Sequence, residues 1–508
     1  MSHKDTQFLV VGAGPAGLTA ACELARRGAR VRIVDALAGP SALSRAILLW
    51  PPTLRVLDGL GLRAAAAAAG TSMLRAVFHS AGRAVAPLDL TPRGAPLVLR
   101  QPDTERLLAE ALARFGVGVE YGMRVTGVRQ TRDSVRALLL DRAGARSEIE
   151  ADWLIGADGM YSAVRRSLEI PFPGVTQSVR YLLAEGRLAG DTDPSAAHYY
   201  AGPAGITSVI PLPDDRFRIS GVPPAEAPQR GAELVQWLLD ERGPGGLRFT
   251  DLSWLTEFQV HRRLADRFRD GRVFLVGDAA HVNPPLGGQG LNLGVQDAHN
   301  LGWKLALALS GKADDALLDT YGAERVPVAK WTLGVSANEL RVIADSLTAE
   351  TNKERDGFRP RPELQQGQLA LGYEWSPLAK TLVERKEGAP KAGDRAPDSP
   401  CQTATGAPMR LFDAFRQSGF TLLGFGAETR DTIDAVVAKH GDIAIGRLVD
   451  KAPESTVDIV DVDGHAYHEY AVTEPTLFLI RPDGHIGVIA DPAQCGAVLD
   501  YLANLGKN

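Results

Sequence analysis

Cysteine is scarce in this sequence, and Cys22, Cys401 and Cys495 lie far from one another along the chain. A disulfide framework needs a paired set of cysteines, and a structural zinc site needs cysteine or histidine ligands at close spacing. Neither pattern is present, so we expect a reducing environment and no metal site. Uninterrupted apolar runs are also short, below the roughly 18 residues that a membrane-spanning helix requires. We therefore expect no association with a membrane.

An excess of positive charge is also lacking. The formal net charge is -5, so nucleic acid is not expected as an electrostatic partner. The first residues lead directly into an apolar strand without the features of a signal peptide, from which we expect a cytoplasmic location. The chain has 508 residues, of which 45% are hydrophobic, and this length suffices for two or three globular domains.

The first motif lies in FLVVGAGPAGLTAACELARRGARVRIVDA, residues 8–36, which has the pattern of a strand, a tight turn, a helix and a second strand. Gly12 makes the turn, Gly14 lets the backbone approach a pyrophosphate, and Gly17 lets the helix pack closely on the sheet. Asp35 ends the second strand, where dinucleotide-binding folds place the acid that binds a ribose hydroxyl. The segment predicts a dinucleotide site without distinguishing FAD from a nicotinamide cofactor.

Two later segments also join an apolar strand to a loop rich in glycine. The first is DWLIGADGMYSAVRRSL, residues 152–168, in which GADG follows the strand and a helix begins after Ser162. The second is RVFLVGDAAH, residues 272–281, followed by PPLGGQGLNLGVQDA, residues 284–298. A strand that ends in Gly277 and Asp278 and then passes through a glycine-rich loop into a helix is unusual in mid-chain, and it predicts a ligand site.

Together the three segments resemble the signature of the single-component FAD-dependent aromatic hydroxylases, in the phenol hydroxylase and polyketide hydroxylase branch. The resemblance covers nearly the whole chain and implies FAD as the bound cofactor, with NADPH or NADH as a transient electron donor. A second GxGxxG segment and a CxxC pair are both absent. Their absence agrees with a hydroxylase that has neither a separate nicotinamide domain nor a disulfide that receives electrons.

The third motif acquires a physical reading from this resemblance. Asp278, at the end of a strand, is placed to accept hydrogen bonds from the ribityl hydroxyls of FAD. The glycines from Gly287 to Gly290 leave room for the isoalloxazine ring, because a Cβ atom there would collide with it. The helix that begins near Leu291 directs its positive end toward the flavin, where negative charge collects on reduction. Pro285 stiffens the loop beside the ring.

The resemblance also implies roles for residues outside the third motif. Arg45 is expected near the pyrophosphate and NADPH, Gln101 against the flavin's linker, and Asp158 at the cofactor in the second motif. The predicted cofactor-binding residues are Gly12, Gly14, Ala16, Gly17, Asp35, Arg45, Gln101, Asp158, Gly277, Asp278, Pro285, Gly288, Gly290, Leu291 and Asn292. Those expected to act in catalysis are Pro285, Gly288 and Arg45.

Two features of the site stay open in the sequence. No motif names a general base: His261, His281 and Tyr200 are candidates, and each is better explained as a packed or surface side chain. The segment ILLWPPTLRVLDGLGL, residues 47–62, departs from the family pattern at Trp50 and Pro51, where a basic residue is usual. This departure leaves the substrate contacts undefined.

We expect an α/β fold, with a Rossmann-type FAD-binding domain, an inserted β-sheet substrate domain and a C-terminal thioredoxin-like domain. The FAD-binding domain is predicted from 1–173 and again from 273–390, where it includes a helical connection with an exposed segment at 351–367. The alternating, turn-rich sequence of 174–272 predicts the substrate sheet. The composition changes near residue 391, and 391–508 predicts the thioredoxin-like domain without its redox cysteines.

The resemblance implies a monooxygenase that inserts one atom of O2 into a small polycyclic substrate through a flavin C4a-hydroperoxide, with an aromatic polyketide of antibiotic biosynthesis as the leading substrate class. Hydroxylation, epoxidation and Baeyer–Villiger outcomes all remain open. One alternative is a flavoprotein of the same fold that keeps FAD as a structural part and performs a non-redox reaction such as cyclisation. Another is a flavin-holding binding protein without chemistry. A monomer and a homodimer are both compatible with the sequence.

Overall fold

A computed structural model of the chain describes residues 6–348 and 371–505, apart from the short gaps 81–82, 203–204, 225–226, 228–230 and 453–456. The chain divides into two compact units. The first consists of Met1–Cys22, Arg30–Ala298 and Val328–Gln368, and the second of Glu23–Ala29, His299–Pro327 and Leu369–Asn508. The second unit therefore takes segments from the middle of the chain as well as its C-terminal part.

The strands and helices up to residue 348 follow in chain order. The strands are β1 (Phe8–Val11), β2 (Val31–Asp35), β3 (Leu48–Leu49), β4 (Thr71–Ser72), β5 (Arg75–Ser80), β6 (Arg83–Asp89), β7 (Leu97–Val98), β8 (Val119–Tyr121), β9 (Arg124–Gln130), β10 (Val135–Leu140), β11 (Arg146–Ala151), β12 (Trp153–Gly156), β13 (Gly174–Ala189), β14 (Ala196–Gly202), β15 (Gly205–Leu212), β16 (Arg216–Gly221), β17 (Arg248–Leu264), β18 (Arg269–Asp270), β19 (Val273–Leu275) and β20 (His281–Val282). The helices are α1 (Pro15–Ala25), α2 (Pro51–Gly59), α3 (Arg63–Ala69), α4 (Gln101–Arg114), α5 (Ala163–Ser167), α6 (Ala232–Arg242), α7 (Gln289–Leu309) and α8 (Ala316–Thr348).

A six-stranded sheet positions the three motif loops. Its order is β18-β19-β12-β1-β2-β8, and all neighbours are parallel except β18 with β19. The strands β1, β12 and β19 are buried at every residue, as continuous apolar runs in a parallel sheet should be. Because adjacent parallel strands end at the same edge, the loops after β1, β12 and β19 emerge side by side.

An eight-stranded sheet contains the predicted substrate region. Its order is β20-β17-β13-β16-β15-β14-β5-β6, and its neighbours are antiparallel apart from the parallel pair β14 and β5. The strands β5, β6 and β20 come from outside the predicted range 174–272. Two three-stranded sheets complete the first unit, with the orders β11-β10-β9 and β3-β7-β4.

The two faces of the eight-stranded sheet pack against different elements. Alternate residues of the strands, including Leu182, Val209 and Ile219, pack against α6. The opposite face packs against the segment 47–50 and is called the loop-side face below. Its apolar members are Ala76, Phe78, Ala197, Tyr199, Ala201, Ile206, Ile210 and Leu212, in one cluster with Ile47, Leu48 and Trp50.

The C-terminal part of the second unit is built on another eight-stranded sheet, of order β21-β28-β27-β24-β25-β26-β22-β23. Its strands are β21 (Lys380–Thr381), β22 (Pro400–Thr403), β23 (Pro408–Arg410), β24 (Phe420–Phe425), β25 (Ala444–Asp450), β26 (Ile459–Val460), β27 (Thr476–Ile480) and β28 (Ile486–Ala490). Its helices are α9 (Arg430–His440), α10 (His465–Glu469) and α11 (Cys495–Ala503). The central strands form a parallel β24–α9–β25 unit followed by the antiparallel hairpin β27–β28 and α11, which is the expected thioredoxin-like arrangement.

One hydrophobic cluster joins this domain to the helices α7 and α8 inside the second unit. Trp303 and Leu317 are fully buried in the same cluster as Phe420, Leu477 and Val488. The indole of Trp303 also meets the ring of Phe420 edge-on, with the ring centroids 5.6 Å apart. The core of the thioredoxin-like domain therefore includes side chains from residues well before it in sequence.

The predicted helical connection differs from the structure in part. The helix α8 extends to Thr348, and the predicted exposed segment 351–367 lies outside the described residues. Residues 371–390, which the sequence predicted to be mostly helical, contain turns and the short strand β21 instead. Prolines at 377 and 390 and a left-handed Gly388 interrupt this stretch, and each of these features opposes a continuous helix.

Candidate functional site

The loop after β1 is held in a shape that only glycine permits. Gly12 has a φ of +104°, and a Cβ atom there would lie 2.3 Å from the carbonyl oxygen of Ala157, in the loop after β12. A Cβ atom on Gly17 would lie 1.9 Å from the carbonyl oxygen of Gly12. At Gly14, by contrast, a Cβ atom would meet no described protein atom within 4 Å. The turn and the close helix packing thus fix two glycines, and the third faces open space in which a ligand can approach the backbone.

Asp35 lies beside this loop, at the end of β2. Its Oδ2 accepts a hydrogen bond from the backbone N–H of Ala13 at 2.7 Å, and its Oδ1 accepts one from the backbone N–H of Leu37, also at 2.7 Å. An ionised carboxylate has about four acceptor positions, so each oxygen keeps capacity for one more donor. The carboxylate is oriented by the protein and still able to accept from a ribose hydroxyl.

Asp158 follows β12 and has one oxygen without a partner. Its Oδ2 accepts from the backbone N–H groups of Ala163 and Val164, at 2.7 and 3.2 Å, and so stabilises the start of α5. Its Oδ1 is buried and has no hydrogen-bond partner among the described residues. Burial raises the pKa of this carboxyl. A buried acceptor without a donor is costly in a folded protein, so the atom fits a site that a ligand completes.

Arg165 connects the second motif to the third. Its guanidinium donates to the carbonyl oxygens of Ala279 and Met160, at 2.8 and 2.7 Å, and lies 3.7 Å from the ring centroid of Phe172. The side chain is 5% exposed. These contacts indicate that Arg165 holds the two loops together.

Asp278 and Arg45, unlike Arg165, are not held in place by hydrogen bonds to other described residues. Both side chains are exposed, and neither makes a hydrogen bond to another described residue. The protein around Asp278 nevertheless raises the pKa of its carboxyl by limiting hydration, and the charges of His281 and Arg45 partly oppose that increase. The Asp278 carboxylate is thus accessible to solvent and yet closely surrounded by protein atoms, and the effect of Arg45 on its pKa places the two charges in the same region.

The turn that carries Asp278 is fixed from below. Gly277 has a φ of +58°, and a Cβ atom there would lie 3.0 Å from the Cβ of Ala16. Its backbone N–H donates to Oδ2 of Asp297 at 3.1 Å, and the same oxygen lies 2.6 Å from Nε2 of His281. Asp297 and His281 are fully buried. These contacts support the packing interpretation of His281.

The other two candidate bases also make contacts within the protein. Tyr200 is 2% exposed and lies on the α6 side of the sheet. His261 lies on β17, and its Nδ1 is 2.9 Å from Oγ1 of Thr176. The structure therefore adds no argument for either residue as a general base.

Trp50 and Asn292 fix the glycine-rich loop of the third motif. The indole N–H of Trp50 donates to the carbonyl oxygen of Gly287 at 2.9 Å, and its backbone N–H donates to Oδ1 of Asn292 at 2.8 Å. The amide of Asn292 donates to the carbonyl oxygens of Leu48 and Gly288, at 2.8 and 2.6 Å. Trp50, at which the sequence departs from the family pattern, is therefore a support of this loop.

The backbone of this loop requires glycine at two successive positions. Gly287 and Gly288 have φ values of +77° and +64°, and a Cβ atom on Gly288 would lie 2.9 Å from the Cβ of Leu48. A Cβ atom on Gly290 would meet no described protein atom within 4 Å. Pro285 and Leu291, at the two ends of the loop, are partly exposed. The loop therefore presents an open backbone surface between them.

Gln101 and Glu105, both on α4, form a polar contact with the segment that carries Arg45. Oε1 of Gln101 accepts from the backbone N–H of Ala46 at 3.3 Å, and its Nε2 donates to Oε1 of Glu105 at 2.9 Å. Glu105 is 7% exposed, and its burial, together with the charge of Asp35, raises the pKa of its carboxyl to about 7. Glu105 could not be identified from the sequence, since an acid within a helix gives no local sign of burial.

The predicted residues are thus assembled around the loops that follow β1, β12 and β19. An FAD molecule fits this arrangement, because the open backbone at Gly14, the unpaired Oδ1 of Asp158 and the uncommitted side chains of Asp278 and Arg45 are all features that a dinucleotide would complete. In the part of the chain that the structure describes, no group of three or more His, Cys, Asp or Glu side chains could hold a metal ion. The helices of the same residues include none that is long and apolar enough to cross a bilayer.

Fold and site together define a dinucleotide-binding α/β protein, and comparison with known proteins defines its family. A model described as "FAD binding domain" matches residues 5–335, and a model described as "Aromatic-ring hydroxylase, C-terminal" matches residues 389–504. The chain belongs to this family of FAD-binding aromatic-ring hydroxylases and is an FAD-dependent monooxygenase.

Individual relatives agree with this assignment over nearly the whole chain. The chain is 34% identical over 520 residues to a flavin-dependent monooxygenase of Mycobacteroides abscessus, covering 98% of this chain and 99% of the relative. It is 32% identical over 507 residues to the 12-dehydrotetracycline 5-monooxygenase/anhydrotetracycline 6-monooxygenase of Streptomyces rimosus, with 95% of each chain covered. Its structure is similar to that of aklavinone-11 hydroxylase in a ternary complex with FAD and aklavinone, with a TM-score of 0.78, 27% identity and 100% of each chain covered.

Proposed function

We propose that this enzyme takes electrons from NADPH or NADH and inserts one oxygen atom of O2 into a polycyclic aromatic polyketide. The substrate class is supported by relatives whose names state that they act on such compounds, anhydrotetracycline and aklavinone among them. The observation that supports FAD binding most directly is that three loops at strand ends lie side by side. Among the described residues, Oδ1 of Asp158 is buried without a hydrogen-bond partner, and the exposed carboxylate of Asp278 makes no hydrogen bond. Bound FAD supplies the redox chemistry: it passes electrons from the nicotinamide to oxygen and transfers one oxygen atom to the substrate.

The first motif and Asp35 are proposed to hold the adenosine half of FAD. Gly12, Gly14 and Gly17 let the backbone approach the pyrophosphate at the N-terminus of α1, where unpaired N–H groups favour an anion. Ala16 keeps its small side chain against Gly277 and so brings the first and third loops together. Asp35 accepts from the ribose, in the orientation that two backbone N–H groups impose on it.

The remaining cofactor contacts are assigned to the other loops. Asp158 offers its unpaired Oδ1, Asp278 accepts from the ribityl chain, and Gln101 holds the segment of Arg45 beside the linker. Arg45, which is exposed and has no ion-pair partner among the described residues, is proposed to contact the phosphates and the incoming nicotinamide cofactor. Gly277 provides the turn that carries Asp278.

The glycine loop is proposed to border the reacting ring. Pro285 and the backbone of Gly288 stand beside the position at which oxygen is handled, and Gly290 and Leu291 present the first N–H groups of α7. Asn292 acts indirectly, because its amide is occupied by backbone groups of the loop and of β3. The protein's part in the chemistry is thus to position the ring, to exclude water and to direct positive dipoles toward it.

The test of this proposal is anaerobic reduction of the purified holoenzyme by NADPH and by NADH, followed by the visible absorbance of the flavin. Anhydrotetracycline and aklavinone are the first compounds, and phenol is the simple aromatic control. We expect a polycyclic compound to accelerate bleaching of the flavin more than phenol does, and aerobic turnover to yield a product with one added oxygen atom. A flavin that stays oxidised with both polycyclic compounds, together with their anaerobic conversion to a product, would instead indicate the non-redox alternative.

A further inference from the structure

Four hydroxyl groups lie together on the loop-side face of the eight-stranded sheet. Tyr199, Ser208 and Ser220 are direct partners in the register of β14, β15 and β16, so they form a row across strands spaced about 4.8 Å apart. Tyr181, on β13, reaches the end of this row, where its hydroxyl lies 3.1 Å from Oγ of Ser220. The row borders both the apolar cluster that contains Leu48 and Trp50 and the one that contains Phe258.

The hydrogen bonds among Tyr181, Ser220 and Ser208 leave one of their three hydroxyl hydrogens without an acceptor. Tyr181 bonds to Ser220, and Ser220 bonds to Ser208. Three hydroxyls carry three donor hydrogens, and two bonds use two of them. The three side chains are only 5–6% exposed, so water does not readily satisfy the third. Among the described residues, none supplies the missing acceptor.

The relative acidity of the hydroxyls bears on which of them donates in each hydrogen bond. A phenol is a stronger acid, and hence a better donor, than an aliphatic hydroxyl. Burial raises the pKa of Tyr181 to about 12, so it stays protonated and can donate. When Tyr181 donates to Ser220 and Ser220 donates in turn to Ser208, the hydroxyl hydrogen of Ser208 is the one left over, at the end of the chain of hydrogen bonds.

The residues around Ser208 determine which kind of ligand its hydroxyl hydrogen can contact. Ile206 and Ile210 flank it on the same face of β15, and both pack with Leu48 and Trp50. Tyr199 lies beside it and stacks on Phe78 with the ring centroids 5.1 Å apart. The hydroxyl of Tyr199 makes no hydrogen bond to another described residue, and burial raises its pKa to about 12. The surroundings of Ser208 are therefore mainly apolar and aromatic, with the hydroxyl donors of Ser208 and Tyr199 at one place. The buried ion pair of Arg218 and Glu185 lies one residue pair farther along the same face of β16 and β13.

We infer that the Tyr181–Ser220–Ser208 chain is a specificity element, in which Ser208 donates a hydrogen bond to a carbonyl or phenolic oxygen on the edge of a flat aromatic substrate. This inference rests on the proposed function and deepens it. The apolar surroundings take the ring system, and the Ser208 donor fixes which edge of that ring system enters first. Because Trp50 contacts both this cluster and the Gly287 carbonyl, the same choice decides which ring atom faces the glycine loop.

Equilibrium binding to the oxidised holoenzyme, without any nicotinamide, tests the inference. The probes are two matched pairs, 1,8-dihydroxyanthraquinone with anthracene and 1-naphthol with naphthalene, measured by perturbation of the flavin absorbance. We expect the oxygenated member of at least one pair to bind more tightly. Ser208→Ala should reduce that preference about ten-fold and Tyr181→Phe about three-fold, as expected for the loss and the weakening of one buried hydrogen bond.

Thr207→Val is the matched control, because Thr207 is the neighbour of Ser208 on the other face of β15, where its hydroxyl contacts Arg242. The Thr207→Val enzyme should prefer the oxygenated member of each pair to the same degree as the unmodified enzyme. Equal binding of both members of both pairs, or a Ser208→Ala enzyme that keeps the full preference, would overturn the inference. An effect of Tyr181→Phe without an effect of Ser208→Ala would overturn it as well, since the chain would then end at the tyrosine.

The same samples separate this inference from the proposed function. If the preference depends on Ser208 but no polycyclic compound accelerates flavin reduction, the specificity element stands and the proposed reaction is wrong. If reduction is accelerated while the preference ignores Ser208, the reaction stands and the specificity element is wrong.

Discussion

Glu105 carries a proton that its position in the fold retains near neutral pH. Burial raises the pKa of its carboxyl to about 7, and Asp35 contributes by repulsion, while the hydrogen bond from Gln101 acts in the opposite direction. The pKa of Tyr121 is raised by burial and, to a lesser extent, by the charges of Asp35 and Glu105. In the unfolded chain the group titrates near its usual value of about 4.3. Between these two values the unfolded chain releases a proton that the folded chain keeps.

The consequence is a loss of stability as pH rises through that interval. We expect the Glu105→Gln enzyme to lack this loss and, at pH 8, to exceed the unmodified enzyme in free energy of unfolding by roughly 3–4 kcal/mol. Urea denaturation of the FAD-saturated enzyme between pH 4.5 and 8 measures it. Glu110→Gln is the control, because Glu110 lies on the same helix with an exposed side chain paired to Arg106. Parallel pH profiles for all three enzymes would contradict the prediction.

At the scale of single elements, the loop of the third motif depends on a tryptophan far from it in sequence. In the Trp50→Phe enzyme an aromatic ring still fills the cluster, but the Gly287 carbonyl loses its donor. The Gly287 carbonyl is partly buried, so the loss of its donor costs less than the roughly 1–3 kcal/mol of a fully buried unpaired acceptor. The glycine pair at positive φ would also lose its fixed geometry. We expect the affinity for FAD to fall about ten-fold, as measured by fluorescence titration of the apoprotein.

A second tryptophan-to-phenylalanine substitution, on the other face of the sheet, distinguishes a specific effect on the glycine loop from a general effect of losing a tryptophan. Trp237 lies on α6 and packs against the opposite face of the sheet. Trp237→Phe should leave the affinity for FAD unchanged. If both variants bind FAD as the unmodified protein does, Trp50 has no part in shaping the flavin site.

The elements also show how far the sequence predicts this molecule. The buried strands β1, β12 and β19 and the positive φ values of Gly12, Gly277 and Gly288 agree with the sequence pattern, because a strand, a turn and a close approach are local requirements. The support of Gly287 by Trp50 was missed, since the bonded groups are 237 positions apart. The entry of β5 and β6 into the large sheet was missed for the same reason. Residues 371–390 were predicted as helix from composition, although prolines and glycines interrupt them.

The site was predictable to a similar depth. The residues proposed to contact FAD could be named, because backbone conformation and strand ends leave a trace in the sequence. Three features have no such trace in the sequence: the burial of Glu105, the row of hydroxyls that includes Ser208 and Ser220, and the hydrogen bonds of the Asn292 amide to the backbone. Each depends on which side chains the fold brings to the same place, and a serine on a strand has the same sequence appearance on either face of a sheet.

At the scale of the whole molecule, one buried carboxylate joins elements that are distant in sequence. Glu324, on α8, accepts hydrogen bonds from five donors: Arg481 Nη1 and Nη2, Lys304 Nζ, Asn300 Nδ2 and Ser376 Oγ, at distances of 2.6–2.9 Å. Asp483 balances the second positive charge, with Oδ2 2.6 Å from Arg481 Nη2. The charged residues Glu324, Asp483, Arg481 and Lys304 are at most 4% exposed. Two positive and two negative groups thus compensate one another.

Removing one charge from this cluster should be expensive. We expect Glu324→Gln to lower the free energy of unfolding by about 3–5 kcal/mol, because buried cations then lack a counter-charge. The neighbouring cations hold the pKa of Glu324 below its usual value, so its contribution is present above about pH 4.3 and is lost as the pH falls further. Urea denaturation at pH 7 and pH 4 measures both effects. Glu374→Gln, at an exposed position, is the control, and equal losses in the two variants would contradict the assignment.

The cluster around Trp303 and Phe420 has a consequence for how members of this family can exchange parts. The match to the C-terminal model begins at residue 389, but the core of that domain uses side chains from α7 and α8, within the match to the first model. A crossover at residue 389 would therefore combine a domain from one parent with part of its hydrophobic core from another. Recombinants that fold should take residues 299–327 and the C-terminal domain from the same parent. The unit that can be exchanged between relatives is therefore encoded by separate segments of the gene.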